Sequence, residues 1–170
     1  MADPLVVNAA ELLRRPGSDR TVHIAVSLTE LGIGDDPRFA HDAEVVVRLR
    51  LESLTDGIVV DGELAVPWQG TCRRCLVATD GTAVSEVHEL YQRTLTDPDA
   101  FELSGDQLDL RPLVRELVLL DAPATPLCRP DCRGLCPTCG VNLNETTCDC
   151  APPAPDDRWA ALDALRDRLE

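Results

Sequence analysis

A chain of 170 residues is long enough for one ordinary domain with a small appendage, and its apolar content allows a real core. The formal net charge of −14, with all sixteen basic residues Arg and none Lys, argues against broad, non-specific attraction to nucleic acid, which needs a basic face. The aromatic residues Phe39, Trp68, Tyr91, Phe101 and Trp159 are too scattered for a base-stacking platform. The start has no basic region or apolar segment, and no apolar run approaches a membrane span, so a complete, cytoplasmic protein is expected.

In chain order, Asn8 and Glu11 make a capping-box-like start, and Ala9 to Arg15 reads as a short helix stopped by Pro16-Gly17. From Thr21 the period changes to two: Val22, Ile24, Val26 and Leu28 alternate with more polar residues as in a half-buried strand. Leu31 to Asp42 reads as loop. Val45, Val47, Leu49 and Leu51 then share one strand face, with Glu44, Arg48, Arg50 and Glu52 on the other. Thr55-Asp56-Gly57 supplies a hairpin turn, and Ile58, Val60, Leu64, Val66 and Trp68 form the apolar face of the return strand, with Gly62 a candidate bulge.

That return strand delivers the chain to Cys72 and Cys75. Asp80-Gly81 reads as a turn into a further strand over about Thr82 to Gln92. Thr96 to Asp109, acidic and without a base, reads as solvated loop. Asp109 can cap the next helix, whose Leu110, Leu113, Val114, Leu117 and Leu120 make an apolar stripe ended by Pro123 and Pro126. After the cysteine-rich run, Ala151 to Pro155 is a stiff spacer. A final amphipathic helix with Trp159, Leu162, Leu165 and Leu169 along one side is expected to dock on its own domain or on a partner. The expected fold is α+β: a β-rich core over 1–122, a cysteine-rich zinc module over 123–150 fastened to it, a spacer over 151–155 and a helix over 156–170.

Eight cysteines in a reducing compartment, clustered and without a secretion signal, favour metal over disulfides. Cys136-Pro137-Thr138-Cys139-Gly140 has the C-x2-C form of a zinc half-site, with Gly able to take positive φ just past the second thiolate. Together with Cys148 and Cys150 it makes one compact local site. Cys72, Cys75, Cys128 and Cys132 then make a second, closing a long loop whose entropy rises only about 0.6 kcal/mol per doubling of length. Two zinc ions are expected. Joining Cys72 and Cys75 with Cys136 and Cys139 instead, leaving Cys128, Cys132, Cys148 and Cys150 together, is a competing partition that the sequence leaves open.

Arg73, Arg74, Arg129 and Arg133 belong to the segments that the first partition unites. They are suited to balancing the anionic thiolates or to a local phosphate or RNA contact. Complete four-thiolate sets are closed and structural, whereas catalytic zinc keeps an open position, commonly beside His or carboxylate. His23, His41 and His88 are dispersed, no zinc-deaminase H-x-E occurs, and there is no P-loop or nucleophile elbow. The expectation is therefore a protein that is not an enzyme.

Gly57-Ile58-Val59-Val60-Asp61-Gly62, Cys72-Arg73-Arg74-Cys75-Leu76, Cys128, the run Cys132 to Asn144, Cys148-Asp149-Cys150 and Asp157 to Leu162 resemble the YceD family, named for accumulation of large-subunit ribosomal RNA. The resemblance covers nearly the whole chain and is most specific in the G-L-C-P-x-C-G-x-N-L-N string. It implies a bacterial, non-enzymatic factor in 23S rRNA accumulation and ribosome assembly, with relatives in plastids. Some relatives keep C-x-R-C without the C-terminal cysteines. The acidic surface and terminal helix would then engage a basic ribosomal protein or a large-subunit precursor particle, with at most local rRNA contact and no membrane or small-molecule substrate. A thiol-based redox or zinc-responsive regulator is the alternative, motivated by the number of cysteines.

Overall fold

The computed structural model describes residues 3–151 and Arg158. Its frame is a meander of long strands, β2 (Asp19–Ser27), β3 (Glu44–Ser53), β4 (Gly57–Thr71) and β5 (Ala78–Gln92), each antiparallel to the next. The two-residue β6 (Phe101–Glu102) adds to β5 in parallel, giving the order β2-β3-β4-β5-β6. A separate ribbon pairs β1 (Val6–Asn8) with β7 (Gln107–Asp109), and the helices are α1 (Ala10–Leu13) and α2 (Arg111–Asp121). Among the described residues the architecture is the expected α+β, a largely antiparallel sheet with two helices and the cysteine clusters in its C-terminal part.

Period-two patterning puts Val45, Val47, Leu49 and Leu51 of β3 fully inside, where they meet Ile58, Val60, Leu64 and Val66 of β4. Val22, Val26, Val87 and Tyr91 extend the same face. The opposite face carries charge, with Arg48 Nη1 3.0 Å from Glu63 Oε1, Arg50 Nε 3.2 Å from Asp19 Oδ2, and His88 paired with Asp61. Leu113, Val114 and Val118 of α2 complete the core. The expected stripe on α2 is corrected at Leu120, which is 72% exposed, because the turn that buries Val118 rotates Leu120 away from the sheet.

The segment between β2 and β3 is irregular, as expected, yet it covers the core with buried Leu31, Ile33 and Phe39. Two arginines hold it to α2. Arg115 Nη1 donates to Leu31 O at 2.7 Å and Gly32 O at 2.9 Å, while Arg38 Nη1 donates to Leu119 O at 3.1 Å and Ala122 O at 2.8 Å. Arg38 thus serves the helix's terminal carbonyls, and Asp36 Oδ2 fixes its guanidinium at 2.8 Å.

Other expectations shift. Asn8 Oδ1 accepts the Ala10 N–H at 3.0 Å, but the helix it starts ends at Leu13 rather than Arg15. The stretch from Thr96 to Asp109 is not all loop, since it contains β6 and β7 with buried Leu103 and Leu108. Strands of two or three residues are too short to show a period. Asp109 Oδ1 accepts the Arg111 N–H at 2.9 Å at the start of α2. Asp80 and Gly81 do not turn: they lie inside β5, opposite Gln69 and Trp68. A Cβ on Gly81 would sit 2.8 Å from Trp68 Cζ2, so the glycine makes room for the indole.

Gly62 is not a bulge, because pairing runs one to one through Leu49↔Gly62. Its φ is +146°, and a Cβ there would lie 2.1 Å from Arg48 O. Backbone conformation and close approach both demand Gly. Gly62→Ala is expected to lower stability by about 3 kcal/mol. The midpoint of urea unfolding measures this, and an unshifted midpoint would contradict the close approach.

Candidate metal centre

The β4–β5 hairpin closes on a pair of cysteines. Past Thr71 the Cys72 N–H donates to Val77 O at 2.8 Å and the Leu76 N–H to Cys72 O at 2.9 Å, so the segment from Cys72 to Val77 is itself the turn. The run beginning at Cys136 repeats this geometry: Cys136 N–H donates to Val141 O at 2.8 Å and Gly140 N–H to Cys136 O at 2.9 Å. Both knuckles need a left-handed residue just past the second cysteine. Gly140 supplies φ +74°, whereas the first knuckle uses Leu76 at φ +60°. Leucine in that conformation is strained, and here it is 64% exposed.

Each knuckle gathers two further cysteines. The sulfurs of Cys72, Cys75, Cys128 and Cys132 all lie within 4.8 Å of one another, and those of Cys136, Cys139, Cys148 and Cys150 form a second such group. These are the sets with the least costly loop closures; the arrangement with both knuckles in one group is not formed. In the first set Cys72 Sγ is 3.8 Å from Cys132 Sγ and Cys75 Sγ is 3.6 Å from Cys128 Sγ. Disulfide sulfurs would be about 2.05 Å apart. A tetrahedron with metal–sulfur arms of about 2.3 Å has edges of about 3.8 Å, so the donor spacing fits a four-thiolate metal site.

The backbone prepares some of the thiols for ionisation. The Cys128 N–H holds the Cys72 thiol down at about 6, against an opposing effect of burial. The N–H groups of Cys139 and then Thr138 hold Cys136 at about 6. Cys150 is instead pushed up to about 12, first by its hydrogen bond with the Cys139 sulfur. Each set can therefore offer a ready thiolate on its knuckle, while full ionisation of four adjacent sulfurs requires a cation among them.

The first set is fixed by contacts from the segment that follows α2. Arg73 N–H donates to Pro126 O at 3.0 Å, Leu135 N–H to Arg74 O at 3.0 Å, and Arg74 Nη1 to Cys132 O at 2.9 Å. Cys72, Cys75 and Cys132 are buried with Leu127 and Leu135 packed against them, forming a small cluster apart from the main core. Of the four candidate arginines, Arg74 and Arg129 are engaged inside the protein, Arg129 Nη2 donating to Asn144 Oδ1 at 2.8 Å. Arg73 and Arg133 are exposed, and among the described residues their guanidinium groups have no partner. Trp159, Leu162, Leu165 and Leu169 of the expected terminal helix lie outside the described residues.

Asn144 emerges from the structure as a site residue. It sits in the loop that closes the second set, yet its Nδ2 donates to Cys132 Sγ of the first set at 3.3 Å and to Asn142 Oδ1 at 2.8 Å. Its Oδ1 accepts the Arg133 N–H at 2.8 Å. One carboxamide thus joins the two sets. Sequence reasoning had only the bare Asn142-Leu143-Asn144 run between Cys139 and Cys148 as a signal, and nothing in that spacing points back to Cys132.

The two knuckles predict opposite responses to substitution. Leu76→Gly removes left-handed strain and is expected to leave stability unchanged or raise it by up to about 1 kcal/mol, whereas Gly140→Ala introduces it and is expected to lose about 1 kcal/mol. Urea unfolding of the two variants decides, and changes of the same sign would show that the knuckles are not equivalent.

Residues 60–166 match the model of the YceD family, described as large ribosomal RNA subunit accumulation protein YceD. An uncharacterized protein of Mycobacterium tuberculosis is 34% identical over 151 residues, covering 84% of this chain and 72% of the relative. A second, from Mycobacterium leprae, is 29% identical over 174 residues, covering 95% of this chain and 77% of the relative. The chloroplastic large ribosomal RNA subunit accumulation protein YCED homolog 1 of Arabidopsis thaliana is 34% identical over 64 residues, 38% of this chain and 20% of that protein. No solved structure matches the chain. With the family match spanning more than half of the chain, and including both knuckles and all four further cysteines, the protein belongs to the YceD family.

Proposed function

We propose that this protein is a non-enzymatic, cytoplasmic factor in 23S rRNA accumulation and large-subunit assembly, held in shape by two zinc ions. Family membership supports the rRNA role. The observation that carries the metal reading is the pair of four-sulfur groups, each within 4.8 Å. Cys72, Cys75, Cys128 and Cys132 would hold one ion, and Cys136, Cys139, Cys148 and Cys150 the other. Thiolate-only donor sets favour zinc, and a set of four leaves no open position for substrate.

Bound zinc would supply a cross-link. Structural zinc contributes on the order of 10 to 16 kcal/mol in small peptides, far more than the burial of Leu127 and Leu135 provides. Each four-thiolate site keeps roughly two negative charges, deepening the acidity of a chain already at −14. The partner proposed is accordingly a basic ribosomal protein or a precursor particle carrying one. Any rRNA contact is local and falls to Arg73 and Arg133, whose guanidinium groups are not consumed by internal hydrogen bonds. A second reading, a thiol-based redox or zinc-responsive regulator, is favoured by the exposure of Cys139 and Cys150. It requires zinc to leave reversibly under mild oxidant, and retention of both ions would exclude it.

Metal analysis of the purified chain should give two zinc ions. Cys72→Ser and Cys128→Ser should each lose the same ion, and Cys148→Ser the other. Loss of one common ion in Cys72→Ser and Cys136→Ser would overturn the assignment. Asn144→Ala should weaken zinc at the Cys132 site by about 10-fold to 100-fold in chelator competition.

Depletion of the protein should lower large-subunit rRNA relative to small-subunit rRNA, with the protein co-sedimenting with precursor particles. Unchanged rRNA and no co-sedimentation would refute the assembly role.

A further inference from the structure

Strand β5 is paired along one side only. All fifteen residues from Ala78 to Gln92 face β4, but β6 covers the other side only at Tyr91 and Gln92. Among the described residues, no segment pairs with that side from Ala78 to Leu90. The Leu103 N–H donates to Gln92 O, so the outward-facing peptide groups on this edge are those of Gln92 and, by strand alternation, of Leu90, His88, Glu86, Val84 and Thr82. A long open edge of this kind invites strand addition, and β5 contains neither Pro nor Lys to discourage it.

The surroundings of the edge select the occupant. The chain enters β6 through a turn at Asp97 to Ala100, where Asp97 Oδ1 accepts the Asp99 N–H at 3.0 Å, and so leaves the position ahead of Phe101 open. Grooves flank this position. One runs over Val59, Leu90 and Leu54 beside Asp97 and Asp99; the other lies between Phe101 and the Leu113 and Leu117 side of α2. Glu89 and Asp99 line both grooves, and Glu116 borders the second. Among the described residues, Glu89, Asp97, Asp99 and Glu116 have no ion-pair partner. The Glu89 carboxyl is pushed above its ordinary range, first by burial and then by Glu116. Apolar grooves rimmed by uncompensated carboxylates suit a cationic, extended chain and repel phosphate.

The other long edge differs in sign and in access. Beside β2, Arg20 Nη1 reaches Asn8 O of β1 at 3.4 Å, and Arg20 and His23 line the groove between them.

We propose that the open edge of β5 takes an extended segment of a basic protein as an added strand, its Lys or Arg side chains over Glu89, Asp99 and Glu116 and its alternate apolar side chains over Val59 and Leu90. Main-chain hydrogen bonds supply affinity and the alternation supplies register. The inference deepens the reading above, in that only the source of the segment, a large-subunit protein, rests on the assembly role.

The test uses the zinc-loaded full chain and a synthetic dodecapeptide of alternating Lys and Val. Binding should slow hydrogen exchange of the Thr82, Val84, Glu86, His88 and Leu90 amides. The double variant Asp99→Lys with Glu116→Lys should weaken binding by about tenfold. Val84→Pro, which removes one outward donor while leaving the pairing with β4 in place, should abolish the protection, with an unchanged unfolding midpoint certifying the fold. An alternating Glu and Val peptide should not bind. Peptide binding without protection of these amides, or equal binding by the parent and both variants, would overturn the proposal, as would a concentration-dependent dimer that protects the same amides without peptide. Strand addition with normal rRNA after depletion would overturn the assembly role and leave the edge assignment standing; rRNA loss in the knockout that is rescued in full by Val84→Pro would do the reverse.

Discussion

The hairpin between β4 and β5 closes on a pair of cysteines rather than on a turn chosen for its own stability. Fifteen paired residues on each strand bring Cys72 and Cys75 to a rigid end, where the backbone of the turn aims N–H groups at sulfur. The segment from Pro126 to Leu135 is arranged against that end. The apolar surface there is small, with Leu127 and Leu135 packed on three buried cysteines, and too slight to order the segment by hydrophobic burial alone. Convergence of Cys128 and Cys132 on the hairpin is therefore the constraint on which the position of the second cysteine group depends.

The two groups are linked by polar contacts that do not involve the sulfur sets as wholes. Asn144 reaches from one loop to the Cys132 sulfur of the other group, while Arg129 and the Arg133 amide hold its oxygen. A neutral carboxamide is well suited to this place, because its N–H can approach a thiolate and its oxygen can accept from a cation without adding charge to an already anionic cluster.

Four arginines tie segments of the chain together through main-chain and side-chain oxygens. Arg38 and Arg115 bind the carbonyls that join the long loop to α2, and Arg74 and Arg129 secure the cysteine segments. Among the described residues, Glu89, Asp97, Asp99 and Glu116 near the β5 edge have no ion-pair partner. Net acidity alone is compatible with mere solubility, but acidity concentrated beside open main-chain groups and apolar grooves gives a partner both charge and hydrogen-bond register to read.

By itself the sequence determined the parts whose physics is local. Period-two alternation identified the core faces of β3 and β4, and Asp109 and the apolar spacing identified α2, whereas loop-closure entropy only favoured one of two cysteine partitions and the structure decided which sulfurs meet. Only the tertiary structure decided what depended on distant neighbours. Gly81 looks like a turn residue until Trp68 is seen across the strand, and Gly62 looks like a bulge until its approach to Arg48 is measured. The short β1, β6 and β7 have no readable period and exist because pairing partners meet them, while Asn144 acquires its role only when two loops of the chain come within hydrogen-bond reach. Local propensity and spacing are written along the chain; close approach, edge exposure and the convergence of distant cysteines are properties of which segments meet, and folding alone supplies those.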